Sequence, residues 1–284
     1  MAIFRRSWRL SVEVEKNVKI YKELSEGENS LKIEFDTTAK NSTWAEGNIT
    51  LYNLDKSDLF YLASCARANA FRANKITLEA GYGGDVAVIL SGNIQRIDCD
   101  FKSADRKASF KVQGNFANNL ANASISVSKQ GDVDLSEVCK ELSKIQKLKL
   151  TYDSEIKPVL LKGFSFLGTP MALLSELRQS FKDYYFILSE DGNELKVQPR
   201  ESKAATNPTA ISESTGLVGT PTPTQYGLSV TTLLNTNFHA GAFVDIESSV
   251  ISQYNGTYKI FELRHRGGNQ SGEWNSVLDL RKVG

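Results

Sequence analysis

From Leu10 to about Asn115, apolar and polar residues alternate, as in Ser11-Val12-Glu13-Val14 and Leu31-Lys32-Ile33-Glu34-Phe35. A period of two turns one side of each run toward a core and the other toward water, as in half-buried antiparallel strands. The run from Glu46 to Leu54 continues the alternation and breaks at Asp55-Lys56-Ser57-Asp58. Those side-chain oxygens suit a helix N-terminus, and Leu59, Leu62, Ala66 and Ala70 follow at helical spacing. Runs at 75–82 and 86–94 flank Gly83-Gly84-Asp85 and predict a hairpin, and Lys107 to Val112 predicts a further strand. About seven strands with one helix suggest a small barrel or sandwich, whose edges are hidden by closure or by pairing with a neighbour.

Near Phe116 the pattern changes. Asp134-Leu135-Ser136-Glu137 has the spacing of a capping box, and Leu135, Val138, Leu142 and Ile145 recur behind it at helical intervals. Thr169-Pro170 places a capping hydroxyl before a proline suited to the first helical position, followed by Met171, Leu174, Leu177 and Phe181. Strand-like runs from Tyr184 to Ser189 and from Glu194 to Gln198 surround the turn sequence Glu190-Asp191-Gly192-Asn193. Pro199, Pro208, Pro221 and Pro223 then lie among many Ser, Thr and Gly residues, which predicts a linker or a long excursion. Past Gln225 the alternation returns at 228–231, 243–246, 258–263 and 277–280. The expected organisation is a β domain with one helix over 1–115, an α+β domain over 116–200, a linker over 201–224 and a second β domain over 225–284. The class is mainly β with an α+β insert.

The 284 residues leave room for two or three domains of roughly 100 to 150 residues. With 40% hydrophobic and 24% charged residues the composition is globular. Lys and Arg number 34 against 33 Asp and Glu, so there is no basic field to hold a phosphate backbone, and nucleic acid is not expected as a primary partner. Cys65, Cys99 and Cys139 lie too far apart in sequence for a zinc motif or a disulfide framework and are expected reduced and buried. Met1 to Leu10 carries Arg5, Arg6 and Arg9 without a signal-length apolar run, and no stretch of ~18 apolar residues follows. The expectation is a chain made in the cytoplasm, with no membrane partner.

Catalytic chemistry finds little purchase. The two histidines, His239 and His265, show no metal-ligand spacing and are expected at a surface or interface. No Gly-x-Ser-x-Gly elbow anchors a serine nucleophile. Gly81-Tyr82-Gly83-Gly84-Asp85 lacks the lysine of a phosphate loop and precedes a strand, so a hairpin turn is expected there. Arg266 to Gly272 is read as a hairpin tip, and Tyr184, Tyr185 and Phe186 as strand residues with one face in a core. A carboxylate pair for glycoside hydrolysis depends on a separation that no sequence reveals. No catalytic, cofactor-binding or metal-ligating residue is assigned, no cofactor is expected, and the chain is read as a non-enzyme.

Three stretches together resemble the hub proteins of contractile-tailed phages, the group that includes the Mu-type and T4-type hubs. The first comprises Ile49 to Leu54, a helix, Ile76 to Tyr82 and Ser91-Gly92-Asn93-Ile94. The second is the helix-rich middle with Gly163-Phe164-Ser165-Phe166-Leu167-Gly168-Thr169-Pro170. The third comprises Thr215 to Pro221, Val230 to Asn235, Gly256 to Ile260, and His265-Arg266-Gly267-Gly268-Asn269 with Gly272-Glu273-Trp274. The resemblance implies two tail-tube-like β-barrel or split-barrel units flanking a middle α+β domain. It implies a structural subunit of the virion baseplate, made in the host cytoplasm, that adapts a sixfold tail tube to a threefold central spike and continues the DNA channel. The implied partners are two further copies in a homotrimer, the tail tube or its initiator protein, the spike, the tape measure protein and other baseplate proteins, with DNA only in passage. No lysozyme-like or spike segment is seen fused to the end, which assigns wall degradation or piercing to another protein. The rival expectations are a tail-associated cell-wall hydrolase and a carbohydrate- or receptor-binding module.

Overall fold

The computed structural model describes residues 5–14, 17–22, 31–40, 45–67, 74–103, 105–114, 124–154, 156–189, 193–200, 208–270 and 272–283. The first unit contains β1 (Arg6–Val14), β2 (Asn17–Lys22), β3 (Lys32–Lys40) and β4 (Glu46–Tyr52), then α1 (Lys56–Arg67), then β5 (Lys75–Tyr82), β6 (Asp85–Asp100) and β7 (Lys107–Gly114). The alternation read in the sequence is physical: in β3 and β7 every second residue is buried. Ile33, Ile49, Leu78 and Phe110 line one side of the sheet, and α1 covers them with Leu59 and Leu62. Asp55 starts that helix by accepting the amide of Asp58 at 2.7 Å. Ala70 lies outside the described residues.

The middle unit runs through β8 (Ile125–Asp134), α2 (Leu135–Gln146), β9 (Lys149–Tyr152), β10 (Leu160–Gly168), α3 (Pro170–Ser180), β11 (Tyr184–Leu188) and β12 (Glu194–Pro199). Asp134 caps α2 by accepting the Ser136 amide, and it also takes the Val159 amide, which ties the helix to the approach to β10. Glu137 does not complete a capping box; its carboxylate turns to Lys129 on β8 at 3.1 Å. Thr169 caps α3 through the Ala172 amide, with Pro170 at the first helical position. β8 and β10 form one antiparallel pair, while β11, β12 and β9 form a second small sheet in which β12 and β9 run parallel. The expected turn at 190–192 lies outside the described residues, but β11 and β12 pair antiparallel around it. Both sheets and both helices enclose their own core around Leu135, Leu142, Leu174, Leu177 and Phe186.

The last unit holds β13 (Thr209–Ile211), β14 (Leu217–Pro223), β15 (Gly227–Leu233), β16 (Phe243–Ile246), β17 (Gly256–Gly268) and β18 (Trp274–Lys282). It does not stand apart from the first. The 13 residues of β17 divide their second edge, pairing first with β16 and then with β3, so both β units lie in one 13-stranded sheet ordered β14-β15-β18-β17-β3-β4-β7-β6-β5-β1-β2, with β16 and then β13 branching from β17. This path has two ends, and no closed barrel is formed among the described residues.

Three expectations are corrected. From residue 208 onward the segment read as a linker is ordered: it supplies β13 and β14 to the last unit's sheet, while 201–207 lie outside the described residues. Pro221 and Pro223 fit because β14 is an edge strand, where a missing amide hydrogen breaks no ladder. His265 is not a surface histidine; it is 4% exposed and hydrogen-bonds through Nδ1 to Ser276 Oγ at 2.9 Å. Cys139 is buried, but Cys99 is only half-buried, and the Cys65 side chain lies outside the described residues.

Candidate assembly interface

The two ends of the long sheet differ in chemistry. Among the described residues β2 pairs only with β1, through its register from Arg9↔Lys22 to Val14↔Asn17. Its inward face is anchored by buried Tyr21 and by Lys19, whose ammonium pairs with Asp58 of α1. Its outward face holds Val18 and Ile20, 57% and 56% exposed. An exposed edge with β-branched apolar residues and no proline is open to strand addition. At the other end, β14 is blunted by its two prolines and by a register break between Val218 and Thr222.

The hairpin between β17 and β18 reaches back over the first unit. Asn269 occupies the end of β3 as if it were a strand residue: its Oδ1 accepts the Ile33 amide at 2.9 Å and its Nδ2 donates to the Leu31 carbonyl at 3.0 Å. The Arg6 guanidinium, 5.7 Å from the Trp274 ring, donates to the Gly268 and Gly272 carbonyls. Trp274 meets Phe35 edge-on at 5.2 Å. Gly267 makes this fit possible, since a Cβ there would come within 2.3 Å of the Phe35 ring. Much of the sequence that carried the family resemblance, from His265 to Trp274, is thus the lock between the two β units. Arg6 was missed in the sequence because its partners, the Gly268 and Gly272 carbonyls and the Trp274 ring, lie at the far end of the chain.

The outward face of β17, β3 and β4 is polar and internally paired. Lys40 and Arg264 both reach Glu262, at 3.0 and 2.9 Å, and Arg266 lies 3.3 Å from Asp36. At the edge of β3, Glu34 accepts from Lys32 and, at 2.6 Å, from Tyr52; the Lys32 bond first and the Tyr52 bond second hold the carboxyl below its ordinary range, and the phenol is pushed up to about 12. A second junction joins the middle unit to the last. There Lys259 is 4% exposed, its ammonium 4.5 Å from the Tyr185 ring and 5.1 Å from Phe243, and it donates to the Pro199 carbonyl at 3.3 Å. Burial lowers its pKa to about 8 against the opposing pull of Asp153.

The residues examined for chemistry are not brought together. His239 is exposed while His265 is buried, and Gly83 and Gly84 form the tight turn between β5 and β6 with positive φ. Among the described residues no group of three or more His, Cys, Asp or Glu could hold a metal, and no helix is long and apolar enough to cross a membrane.

The fold is similar to that of several tail proteins. The 43 kDa tail protein of prophage MuSo2 from Shewanella oneidensis superposes with a TM-score of 0.64 at 10% identity, covering 98% of each chain. A tail protein from Neisseria meningitidis MC58 gives 0.62 at 10% identity over 97% of this chain and 96% of that one. The Escherichia coli c3393 protein, a component of the type VI secretion system, gives 0.61 at 9% identity over 90% and 76%. No curated protein matches the sequence significantly. The family model described as Baseplate hub gp41 matches residues 12–271, which include the entire middle unit and every strand of the large sheet except β18 and the first part of β1, and the chain belongs to that family of baseplate hub proteins.

Proposed function

We propose that this baseplate hub subunit works as a trimer that acts as a pseudo-hexamer between the tail tube and the central spike. The carrying observation is that one chain holds two β units in a single sheet, with the α+β unit inserted between them in sequence. Three copies would present six similar modules toward a sixfold tube while keeping true threefold symmetry toward a spike. The open β2 edge supports strand pairing with a neighbouring chain, and the paired charges of the outward face suit a surface along which DNA passes without being held. The tube or its initiator, the spike, the tape measure protein and other baseplate proteins are the partners of this reading. The role is geometric, and no residue is assigned to catalysis.

Reconstruction of intact particles tests the proposal through copy number and symmetry. Three copies, each giving two β units to the ring that abuts the tube, are expected. Six copies in a true sixfold ring would overturn it.

A further inference from the structure

On the face of the last unit that meets the middle unit, Phe243, Lys259 and Arg281 stand in one row across β16, β17 and β18. The Arg281 guanidinium carbon lies 3.5 Å from the centre of the Phe261 ring and 5.4 Å from that of Tyr226. Two backbone features build this setting. A bulge in β17 between Ile260 and Glu262 leaves Phe261 without a partner across the ladder and aims it at the arginine. On the other side, Gly227 lets β15 approach β18 closely, since a Cβ there would lie 2.0 Å from the Leu280 carbonyl oxygen. Tyr226, 67% exposed, stands beside it. An arginine positioned by aromatic rings ordinarily uses its planar fork of donors on an oxyanion. Among the described residues the Arg281 side chain forms no ion pair and donates no hydrogen bond; Asp279, on the same face of β18, is not bound to it. The exposed Arg200 side chain, stacked 5.0 Å from the Tyr185 ring that also receives Lys259, the cross-strand partner of Arg281, forms no ion pair among the described residues.

We propose that Arg281, flanked by Phe261 and Tyr226, is a docking site for a carboxylate on an acidic segment of a partner protein, with Arg200 as the second cation. Overall charge argues against nucleic acid, because a chain of net charge +1 has no general field for a phosphate backbone. A carboxylate requires only the donor edge of the fork, and Arg281 is partly exposed. The identity of the partner as a baseplate or tube protein rests on the hub reading; the chemistry of the site does not.

The test is fluorescence anisotropy of the full chain with a labelled oligoglutamate peptide, with oligothymidylate and inorganic phosphate as competitors. Salt-sensitive peptide binding is expected. It should weaken about tenfold or more in Arg281→Gln, and also in Arg281→Lys, which keeps the charge but loses the fork. Tyr226→Ala, an exposed change, should weaken binding in the same direction and decides the matter if the Arg281 variants fold poorly. Equal binding by wild type and the variants, or displacement of the peptide by oligothymidylate at lower concentration than by free oligoglutamate, would overturn the proposal. Displacement by millimolar phosphate alone would show an unselective anion site and would also overturn it. The position of the chain in intact particles is read separately, so a failed hub reading is distinguishable from a failed docking site.

Discussion

The side-chain amide of Asn269 closes the ladder of Ile33, accepting its backbone amide at 2.9 Å, while the Asn269 backbone amide donates to the Ile33 carbonyl at 3.2 Å. The residues are 236 positions apart in sequence, so one side chain in the β17–β18 hairpin completes the hydrogen bonding at the start of β3.

Asn269→Ala should therefore cost about 2 to 4 kcal/mol, because it strands both the Ile33 amide and the Leu31 carbonyl. Asn269→Asp keeps an acceptor for Ile33 and should cost less. Urea denaturation of the full chain measures both, and an Ala variant within error of wild type would show that water replaces the amide.

Gly267→Ala should destabilise by roughly 1 to 3 kcal/mol through overpacking against Phe35 and Trp274. Gly84→Ala, at a turn where nothing lies within 4 Å of the added atom, tests backbone strain alone at φ 91°. Thermal melts of the pair separate the two costs. A Gly267 variant as stable as wild type would mean that the hairpin tip can retreat from the first unit.

Lys259 predicts a pH dependence with a definite sign. Its folded pKa, lowered to about 8 by burial, lies below the ordinary lysine value, so between the two the unfolded chain holds a proton that the native chain has released. Stability from this group therefore rises with pH from about 8 toward the unfolded value and is least below 8. Against Lys259→Met, which keeps the apolar stem, wild type should gain about 2 kcal/mol over one and a half pH units in that window. A stability difference independent of pH would refute the assignment.

Val18→Lys and Ile20→Lys should leave folding within about 0.5 kcal/mol, since both side chains are exposed, yet impair association by placing charge on the open edge of β2. Analytical ultracentrifugation of the free chain and counting of the subunit in purified tails provide the readout. Unchanged assembly of the double variant would remove β2 from the interface.

Local pattern determined a good deal of this molecule. The alternation of Ile33 and Phe35, the Asp55 and Thr169 helix starts and the Gly83-Gly84 turn each depend on residues a few positions apart, and the order of β, α+β and β segments followed from them. Tertiary structure decided what lies across the chain. A strand does not record its partner, so the pairing of β17 with β3, which joins the two β units in one sheet, left no mark in either run. Proline told against a central strand but could not tell an edge strand from a linker, and β14 proved to be an edge. His265 became buried because Ser276 on the neighbouring strand satisfies its Nδ1, and Arg281 gained its aromatic flanks because a bulge and a glycine bring β17 and β15 beside it. Sequence period sets which face of a segment is apolar; only the packing of distant segments decides which polar groups find partners and which remain available to another molecule.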